Sequence, residues 1–213
     1  MKVTLIGATG MIGSRLLREL MNRGHLVSAI VRSPEKLRPE PNLSIVSGDV
    51  FNENHLAESF KGHDAVIHAY RPARDHPDRR GEHLRAIRSV VWAVKHAGLK
   101  RVLAVAGCGT LEVAPGVKYM DSPDFPQEWM MGAISTGEIT NTLREHPELD
   151  WTTLSPPHRI TPGVRTGVFR LGGDQLMRDE NNESRISAED YAVAMIDELE
   201  NPQHIRRRFT LAY

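Results

Sequence analysis

The chain has 213 residues, equal numbers of basic and acidic side chains (27 each) and a single cysteine, Cys108. Its zero net charge offers no positive field for nucleic acid or an anionic membrane surface, and no apolar run reaches the roughly 18 to 20 residues that cross a bilayer, so a small-molecule ligand is expected. One cysteine excludes an internal disulfide, and the first residues lack a signal-peptide pattern, so we expect a cytoplasmic protein. The length of the chain suits one α/β domain, residues 1–213.

The first half of the chain alternates short apolar runs with amphipathic segments. The apolar runs predict five strands, at residues 2–6, 26–31, 43–46, 65–68 and 101–106. Between them, apolar residues recur every three or four positions, which predicts helices before Gly24, through Leu56 and Phe60, and before Gly98. Strands that alternate with helices imply right-handed crossovers, so we expect a doubly wound parallel sheet flanked by helices.

The second half, about residues 107–213, is less regular. Residues 107–126 are rich in Gly and Pro and predict a long loop with a binding or lid role. Further elements are predicted as a helix at about 127–145, a strand at 151–154, a hairpin around Gly172 and Gly173, and a last strand at 207–212. Ser187 is the expected N-cap of one more helix, because Glu189 and Asp190 follow in its first turn. This half would complete the sheet with a small irregular substrate-side region.

Three glycines stand between the first predicted strand and the first predicted helix. Gly7 permits a tight turn, Gly10 leaves no side chain between backbone and diphosphate, and Gly13 lets the helix pack closely on the sheet. The free N–H groups at the start of that helix would then bind the diphosphate. An ordinary tight turn is the alternative. In this context the motif predicts a Rossmann-type fold whose first half, up to about residue 106, binds a dinucleotide.

The residue after the second predicted strand bears on which dinucleotide is bound. An acidic residue about 20 positions past the glycines would accept hydrogen bonds from a ribose 2′-hydroxyl. The sequence has Arg32 instead. A guanidinium binds a 2′-phosphate through paired hydrogen bonds, so NADP(H) is favoured, while NAD(H) stays open. A solvated surface arginine is the alternative.

Together these motifs resemble a known superfamily. Gly7–Gly13 (GATGMIG), Arg32, Gly48–Val50 and Ala69 resemble the atypical short-chain dehydrogenase/reductases. Later segments resemble a narrower branch, the NADH-flavin reductase group related to NmrA-like and biliverdin reductase B-like proteins: Gly109–Gly116, Arg165–Gly167, Leu171–Leu176 and Asp190–Ala192. The resemblance implies an NAD(P)H-dependent reductase of a flavin, quinone or similar conjugated acceptor. A flavin would be a substrate rather than a prosthetic group.

The resemblance also implies cofactor contacts, all at the carboxyl ends of strands. They are Thr9, Gly10, Met11 and Ile12 at the diphosphate, Asp49 and Val50 at the adenine, Ala69 and Tyr70 at the ribose, and Ala106, Gly107 and Pro156 at the nicotinamide. Such folds place their ligands at this edge of the sheet. Asp49 has an alternative role as the cap of the helix that follows it.

The sequence contains no Tyr-x-x-x-Lys pair, the proton-transfer pair of ordinary short-chain dehydrogenases. Its absence disfavours alcohol or sugar oxidation but suits a flavin or quinone, which takes hydride directly from a nicotinamide. The candidate catalytic residues are Tyr70, Thr110 and His158. Each has a structural alternative: Tyr70 would cover the sheet edge, Thr110 would order its loop, and His158 would be an ordinary loop histidine. Cys108 has no activating partner and is expected to be a packing residue.

Other patterns predict no additional site. The ten histidines lack metal-ligand spacing, so no metal is predicted. Residues 71–80 mix both charge signs around prolines, which predicts a solvated mobile loop that could close over a ligand. Two other functions stay open: a non-enzymatic NADP sensor of NmrA-like type and, less favoured, an epimerase or dehydratase. Neither the natural acceptor nor the oligomeric state is predicted.

Overall fold

In the computed structural model, which describes residues 1–213, the five predicted strands are adjacent and parallel within an eight-stranded sheet. They are β1 (Lys2–Ile6), β2 (Leu26–Val31), β3 (Leu43–Ser47), β4 (Ala65–His68) and β5 (Arg101–Val105). Every residue of β4 is buried, as is β1 after its first residue, because a parallel strand in a doubly wound fold is covered on both faces. The strand predictions for the first half are confirmed.

Helices cover both faces of this sheet. They are α1 (Met11–Asn22), α2 (Glu53–Phe60), α3 (Arg79–His96), α4 (Met130–Arg144) and α5 (Ala188–Glu200). On one face α1 packs beside α5, and on the other α3 packs between α2 and α4. Each face has its own apolar core. The predicted doubly wound, Rossmann-type architecture is confirmed.

The strand order places a crevice beside β1. The remaining long strands, β8 (Asp150–Ser155) and β12 (Arg207–Ala212), extend the parallel sheet, and the order is β12-β8-β5-β4-β1-β2-β3. The chain moves outward from β1 to β3 and then returns through α2 to β4 on the other side of β1. At such a reversal the connections on the two sides diverge, which leaves a ligand crevice at the carboxyl ends of the strands.

The irregular second half differs from its prediction in two places. Residues 107–126 contain a small antiparallel hairpin, β6 (Glu112–Ala114) with β7 (Val117–Lys118), rather than loop alone. The hairpin predicted around Gly172 and Gly173 is wrong. Instead β10 (Arg170–Gly172) pairs antiparallel with β12, because after Gly173 the chain crosses to Glu112 and does not fold back on β10.

Two short strands complete the irregular region. β9 (Arg159–Thr161) and β11 (Arg185–Ser187) form a separate parallel pair that the sequence analysis did not predict. Ser187 then caps α5, its hydroxyl accepting a hydrogen bond from the backbone N–H of Asp190, as predicted. None of the helices combines the length and apolar character of a membrane span. No three His, Cys, Asp or Glu side chains lie together as a metal site.

Candidate functional site

Two of the three glycines between β1 and α1 are required by the protein's own backbone. Gly7 has φ +87°, and a Cβ there would lie 2.4 Å from the carbonyl oxygen of Ala69. A Cβ on Gly13 would lie 1.9 Å from the carbonyl oxygen of Gly7. Both contacts are far shorter than a non-bonded approach allows, so no other residue fits without a backbone shift. They hold the start of α1 directly against β1 and the chain that leaves β4.

Gly10 lacks a side chain for a different reason. Its φ of −77° and ψ of 171° are extended backbone that any residue adopts. A Cβ there would meet only the carbonyl oxygen of Gly7, at 3.4 Å, which is ordinary contact. Gly10 is also exposed, so the space that its missing side chain leaves lies outside the fold. A diphosphate that approaches the backbone needs this kind of opening.

The opening faces the uncapped amino end of α1. No side chain caps this helix, and its first turn contains no acidic residue. The backbone N–H groups of Thr9, Met11, Ile12 and Gly13 donate to no acceptor in the protein. Free N–H groups at the positive end of a helix dipole favour an anion. These residues therefore fit the diphosphate of a dinucleotide.

Arg32 and Asp49 follow β2 and β3, on the side of the crevice predicted for the adenosine. Arg32 is exposed and forms no ion pair with an acidic side chain. The capping alternative for Asp49 is wrong, because Asn52 caps α2 and accepts the N–H of His55 at 3.1 Å. The Asp49 carboxylate is exposed and binds only the N–H of Phe51. Both charged groups are thus free to meet a ligand.

Tyr70 follows β4 and Ala69, but its hydroxyl points into the protein. It donates a hydrogen bond to the buried carboxylate of Glu82 on α3, and its ring packs edge-on against Phe51 and His83. Burial, and then the bond to Glu82, raises the pKa of Tyr70, so the phenol keeps its proton. This geometry favours the alternative in which Tyr70 covers the sheet edge over a catalytic role.

The loop after β5 lies directly on α4, at the end of the crevice predicted for the nicotinamide. A Cβ on Gly107 would lie 2.0 Å from the hydroxyl oxygen of Thr136, and one on Gly109 would lie 2.4 Å from the Cβ of Ala133. Ala106 is buried before this loop, and Pro156 is buried where β8 ends beside it. Gly107 and Gly109 thus let the loop pack closely against α4.

Thr110 and Cys108 lie in this loop and are occupied structurally. The hydroxyl and the carbonyl oxygen of Thr110 both accept hydrogen bonds from Arg208, each at 2.9 Å. Arg208 is also paired with Asp174, so the loop is tied to β12 and to the segment after β10. Burial raises the pKa of Cys108 to about 11, which keeps the thiol protonated at neutral pH. Both observations favour the structural alternatives over catalysis.

His158 belongs to an aromatic cluster that sequence reasoning did not find. The hydroxyl of Tyr119 lies 2.6 Å from Nδ1 of His158, and the Trp129 and His158 ring centroids lie 4.9 Å apart. Burial raises the pKa of Tyr119, so the phenol is the donor and Nδ1 the acceptor. Burial, and then the positive charges of Arg178 and Arg159, lowers the pKa of His158. The imidazole is therefore neutral at pH 7, with its proton on Nε2.

Asp190 joins two of the segments that carry the family resemblance, Arg165–Gly167 and Asp190–Ala192. Its buried carboxylate accepts hydrogen bonds from the N–H groups of Thr166 and Gly167 and from the hydroxyls of Thr166 and Tyr213. The neighbouring Arg165 makes two hydrogen bonds to Glu19 of α1, at 2.8 and 2.9 Å. The segment Arg165–Gly167 thus connects α5 to α1, the helix whose amino end has the free N–H groups.

His68, the last residue of β4, is fully buried and neither of its ring nitrogens has a hydrogen-bond partner. Burial, with a smaller effect from His83, lowers its pKa to about 3. In the unfolded chain the ring binds a proton near its ordinary pKa of about 6.5. Between these two pKa values the unfolded state binds more protons, so the stability associated with His68 is lost as the pH falls from about 6.5 towards 3.

A His68→Leu variant should therefore be more stable than the wild type in mild acid. We expect its free energy of unfolding at pH 5 to rise by about 1 to 3 kcal/mol, because an unpaired buried polar ring is replaced by an apolar side chain. The gain should be smaller at pH 7, where the unfolded histidine is mostly neutral. Urea denaturation at both pH values measures this difference, and a variant that is less stable at pH 5 would contradict it.

Known proteins resemble this chain over its full length. A family model described as NAD(P)H-binding matches residues 7–202, beginning at the first glycine of the turn. The Bacillus subtilis protein YwnB is 39% identical over 214 aligned positions, which cover 99% of this chain and 98% of that protein. The similarity therefore includes the irregular second half as well as the nucleotide-binding strands.

Solved structures share the same fold from end to end. A Bacteroides thetaiotaomicron protein described as a "putative epimerase" is 43% identical with a TM-score of 0.92, and the match covers 100% of this chain and 96% of that one. A Streptococcus pneumoniae protein described as a "putative NADH-flavin reductase" is 34% identical with a TM-score of 0.88, covering 100% and 99%. With its glycine turn, strand order and matched length, this chain belongs to the NAD(P)H-binding family and is an atypical short-chain dehydrogenase/reductase.

Proposed function

We propose that the protein is an NADPH-preferring reductase that passes hydride to a flavin, quinone or similar conjugated acceptor. The observation that carries the proposal is the open space at Gly10 beside the free N–H groups of α1, which suits a diphosphate. The absence of a Tyr-x-x-x-Lys pair from the sequence supports an acceptor that needs no such base. The same absence makes an epimerase or dehydratase the weaker proposal.

The residues around the crevice divide the proposed work between binding and orientation. When bound, NADPH supplies a hydride, and with one proton this reduces the acceptor by two electrons and leaves NADP⁺. Backbone N–H groups from Thr9 to Gly13 would hold the diphosphate, and Arg32 the 2′-phosphate. Further contacts would come from Asp49 and Val50 at the adenine, Ala69 and Tyr70 at the ribose, and Ala106, Gly107 and Pro156 at the nicotinamide.

The aromatic cluster is the proposed wall for the acceptor. Trp129 is 40% exposed and presents a flat face beside His158. A planar conjugated ring could stack there. Of the three catalytic candidates we favour His158, because Tyr70 donates to Glu82 and Thr110 is bound by Arg208. The Nε2 proton of His158 is the one available to an acceptor.

Arg32→Ala should separate the two dinucleotides. We expect the variant to bind NADPH about tenfold or more weakly, because a charge-assisted contact to the 2′-phosphate is lost, and to bind NADH with nearly unchanged affinity. Isothermal titration with each dinucleotide measures both constants. Arg38→Ala is a matched control, since Arg38 is also an exposed arginine without an ion pair in the same loop region. Equal losses for NADPH and NADH would remove Arg32 from this role.

Turnover tests the reductase proposal itself. Purified protein with NADPH is supplied in turn with FMN, riboflavin and a naphthoquinone, and the loss of absorbance of the reduced nicotinamide is followed. Oxidation that is faster with NADPH than with NADH is the expected result. Tight binding of NADPH without oxidation by any of these acceptors would instead favour the non-enzymatic sensor. A His158→Ala variant with normal NADPH binding and full turnover would exclude His158 as the proton donor.

A further inference from the structure

Three arginines lie between β4 and the first turn of α3 without an acidic partner. Arg71, Arg74 and Arg79 form no ion pair and donate no side-chain hydrogen bond. Their charges affect one another. Burial, and then the charges of Arg79 and Arg74, hold the pKa of Arg71 below its ordinary value. The segment predicted as a mobile loop thus carries a concentrated positive charge.

Two of the nearby acidic groups are engaged elsewhere. Asp78 caps α3 by accepting the N–H of Gly81 at 2.8 Å. Glu82 accepts the hydroxyl of Tyr70 and forms an ion pair with His76 at 2.9 Å. Asp75 is exposed and forms no ion pair, so none of the acidic side chains of this segment is paired with the three arginines.

Arg79 points inward from the first turn of α3. Its Nε and one terminal nitrogen, Nη2, are buried and have no hydrogen-bond partner. The Nη2 atom lies 3.4 Å from the place that a Cβ on Gly132 would take, in the first turn of α4. A covered guanidinium with unused donors is costly unless an anion completes it.

The amino end of α4 adds positive potential beside Arg79. The first turn of α4 has neither a capping side chain nor an acidic residue, so the positive end of its dipole is not compensated. Ser135 donates to the carbonyl oxygen of Arg79 and is hydrogen-bonded to His83. His83 is neutral, because burial lowers its pKa to about 4; the hydrogen bond to the carbonyl oxygen of Tyr70 opposes this shift, and the charges of Arg71 and Arg79 add smaller effects to it.

Arg79 is linked to the loop after β5 through the first turns of α4. Gly132 directly precedes Ala133, whose side chain packs against Gly109 in the loop after β5. One turn further along α4, Thr136 packs against Gly107. Arg79 is thus one residue away, along α4, from the contacts that place the nicotinamide loop.

We propose that Arg79, assisted by Arg71, binds an anionic group on the hydride acceptor, so that the preferred acceptor carries a phosphate or carboxylate. The inference rests on the proposed reductase function and narrows its substrate class. FMN and riboflavin provide the sharpest pair of probes, because they share the same ring system and differ by one phosphate. The Arg79 site should discriminate between them through that group alone.

The test compares two neighbouring arginine variants saturated with NADP⁺. Arg79→Gln removes the charge but keeps a polar side chain, and Arg80→Gln is the matched control, since Arg80 is 60% exposed and pairs with Glu138 at the surface. Flavin fluorescence gives dissociation constants for FMN and riboflavin. We expect the wild type and Arg80→Gln to bind FMN about tenfold or more tightly than riboflavin, and Arg79→Gln to lose this preference while its riboflavin affinity is unchanged.

Several outcomes would overturn the proposal. In the wild type, equal affinity for the two flavins would do so, as would an Arg79→Gln variant that keeps the preference for FMN. An equally large loss of NADPH affinity would assign Arg79 to the dinucleotide instead. If neither flavin binds, the flavin part of the proposed function fails, and inorganic phosphate then tests the site. Phosphate should raise the melting temperature of the wild type and Arg80→Gln more than that of Arg79→Gln, and equal shifts would refute the anion site.

Discussion

Gly13→Ala is expected to lower the free energy of unfolding by about 3 kcal/mol or more, or to prevent folding. The added methyl group would lie 1.9 Å from the carbonyl oxygen of Gly7 and 3.2 Å from the Cα of Ala8. All the atoms that it meets belong to backbone, so no side-chain rotation can relieve the collision. The helix α1 would have to move away from β1, which would also displace the free N–H groups at its amino end. Urea denaturation measures the loss.

Gly24→Ala is the matched control for this prediction. Gly24 ends the turn after α1 with φ +78°, but a Cβ there would meet no atom within 4 Å. The control therefore carries backbone strain without a collision, at a cost of about 1 to 2 kcal/mol. A Gly13→Ala protein that is no less stable than Gly24→Ala would show that α1 does not pack on β1 as closely as the structure has it.

Gly10→Ala is expected to weaken NADPH binding by about 30-fold, or about 2 kcal/mol, with little change in stability. The backbone of Gly10 accepts any residue, and its Cβ would make only one ordinary contact with the protein. The side chain would instead enter the space that we assign to the diphosphate. Isothermal titration measures the affinity, and thermal unfolding checks that the fold is retained.

Gly173→Ala serves as its control, because a Cβ at Gly173 meets no atom within 4 Å and this glycine lies after the edge strand β10. We expect Gly173→Ala to bind NADPH like the wild type. If Gly10→Ala binds NADPH as tightly as Gly173→Ala, the diphosphate does not approach the backbone at residue 10. A large loss of stability in Gly10→Ala would mean that this glycine, like Gly13, serves the fold.

The nucleotide-binding half was predictable because its signals are local. Each buried strand is a short apolar run, and each helix has apolar residues at every third or fourth position. Glycines mark the helix ends, as at Gly24 and Gly98, which both have positive φ values. The glycine turn was also predictable, but the sequence cannot distinguish Gly10 from Gly13. Only the positions of surrounding atoms show that one is open to a ligand and the other closed by backbone.

The acceptor side was not predictable because its contacts join distant parts of the chain. Tyr119 and His158 are 39 positions apart, and no sequence motif contains both residues. Arg79 lies in a charged, proline-rich run that predicts a solvated loop, yet it is the first residue of α3 and its donors are covered by α4. The strands β9 and β11 have three residues each, too few to show an alternating pattern.

The backbone amides themselves can report whether a diphosphate binds at the start of α1. Isotope-labelled protein is titrated with NADP⁺ while the amide resonances are followed by NMR spectroscopy. We predict that the largest changes occur at Thr9, Met11, Ile12 and Gly13, whose N–H groups have no acceptor in the protein alone. Unchanged resonances with both NADP⁺ and NAD⁺, or changes confined to other parts of the chain, would contradict the proposed dinucleotide site.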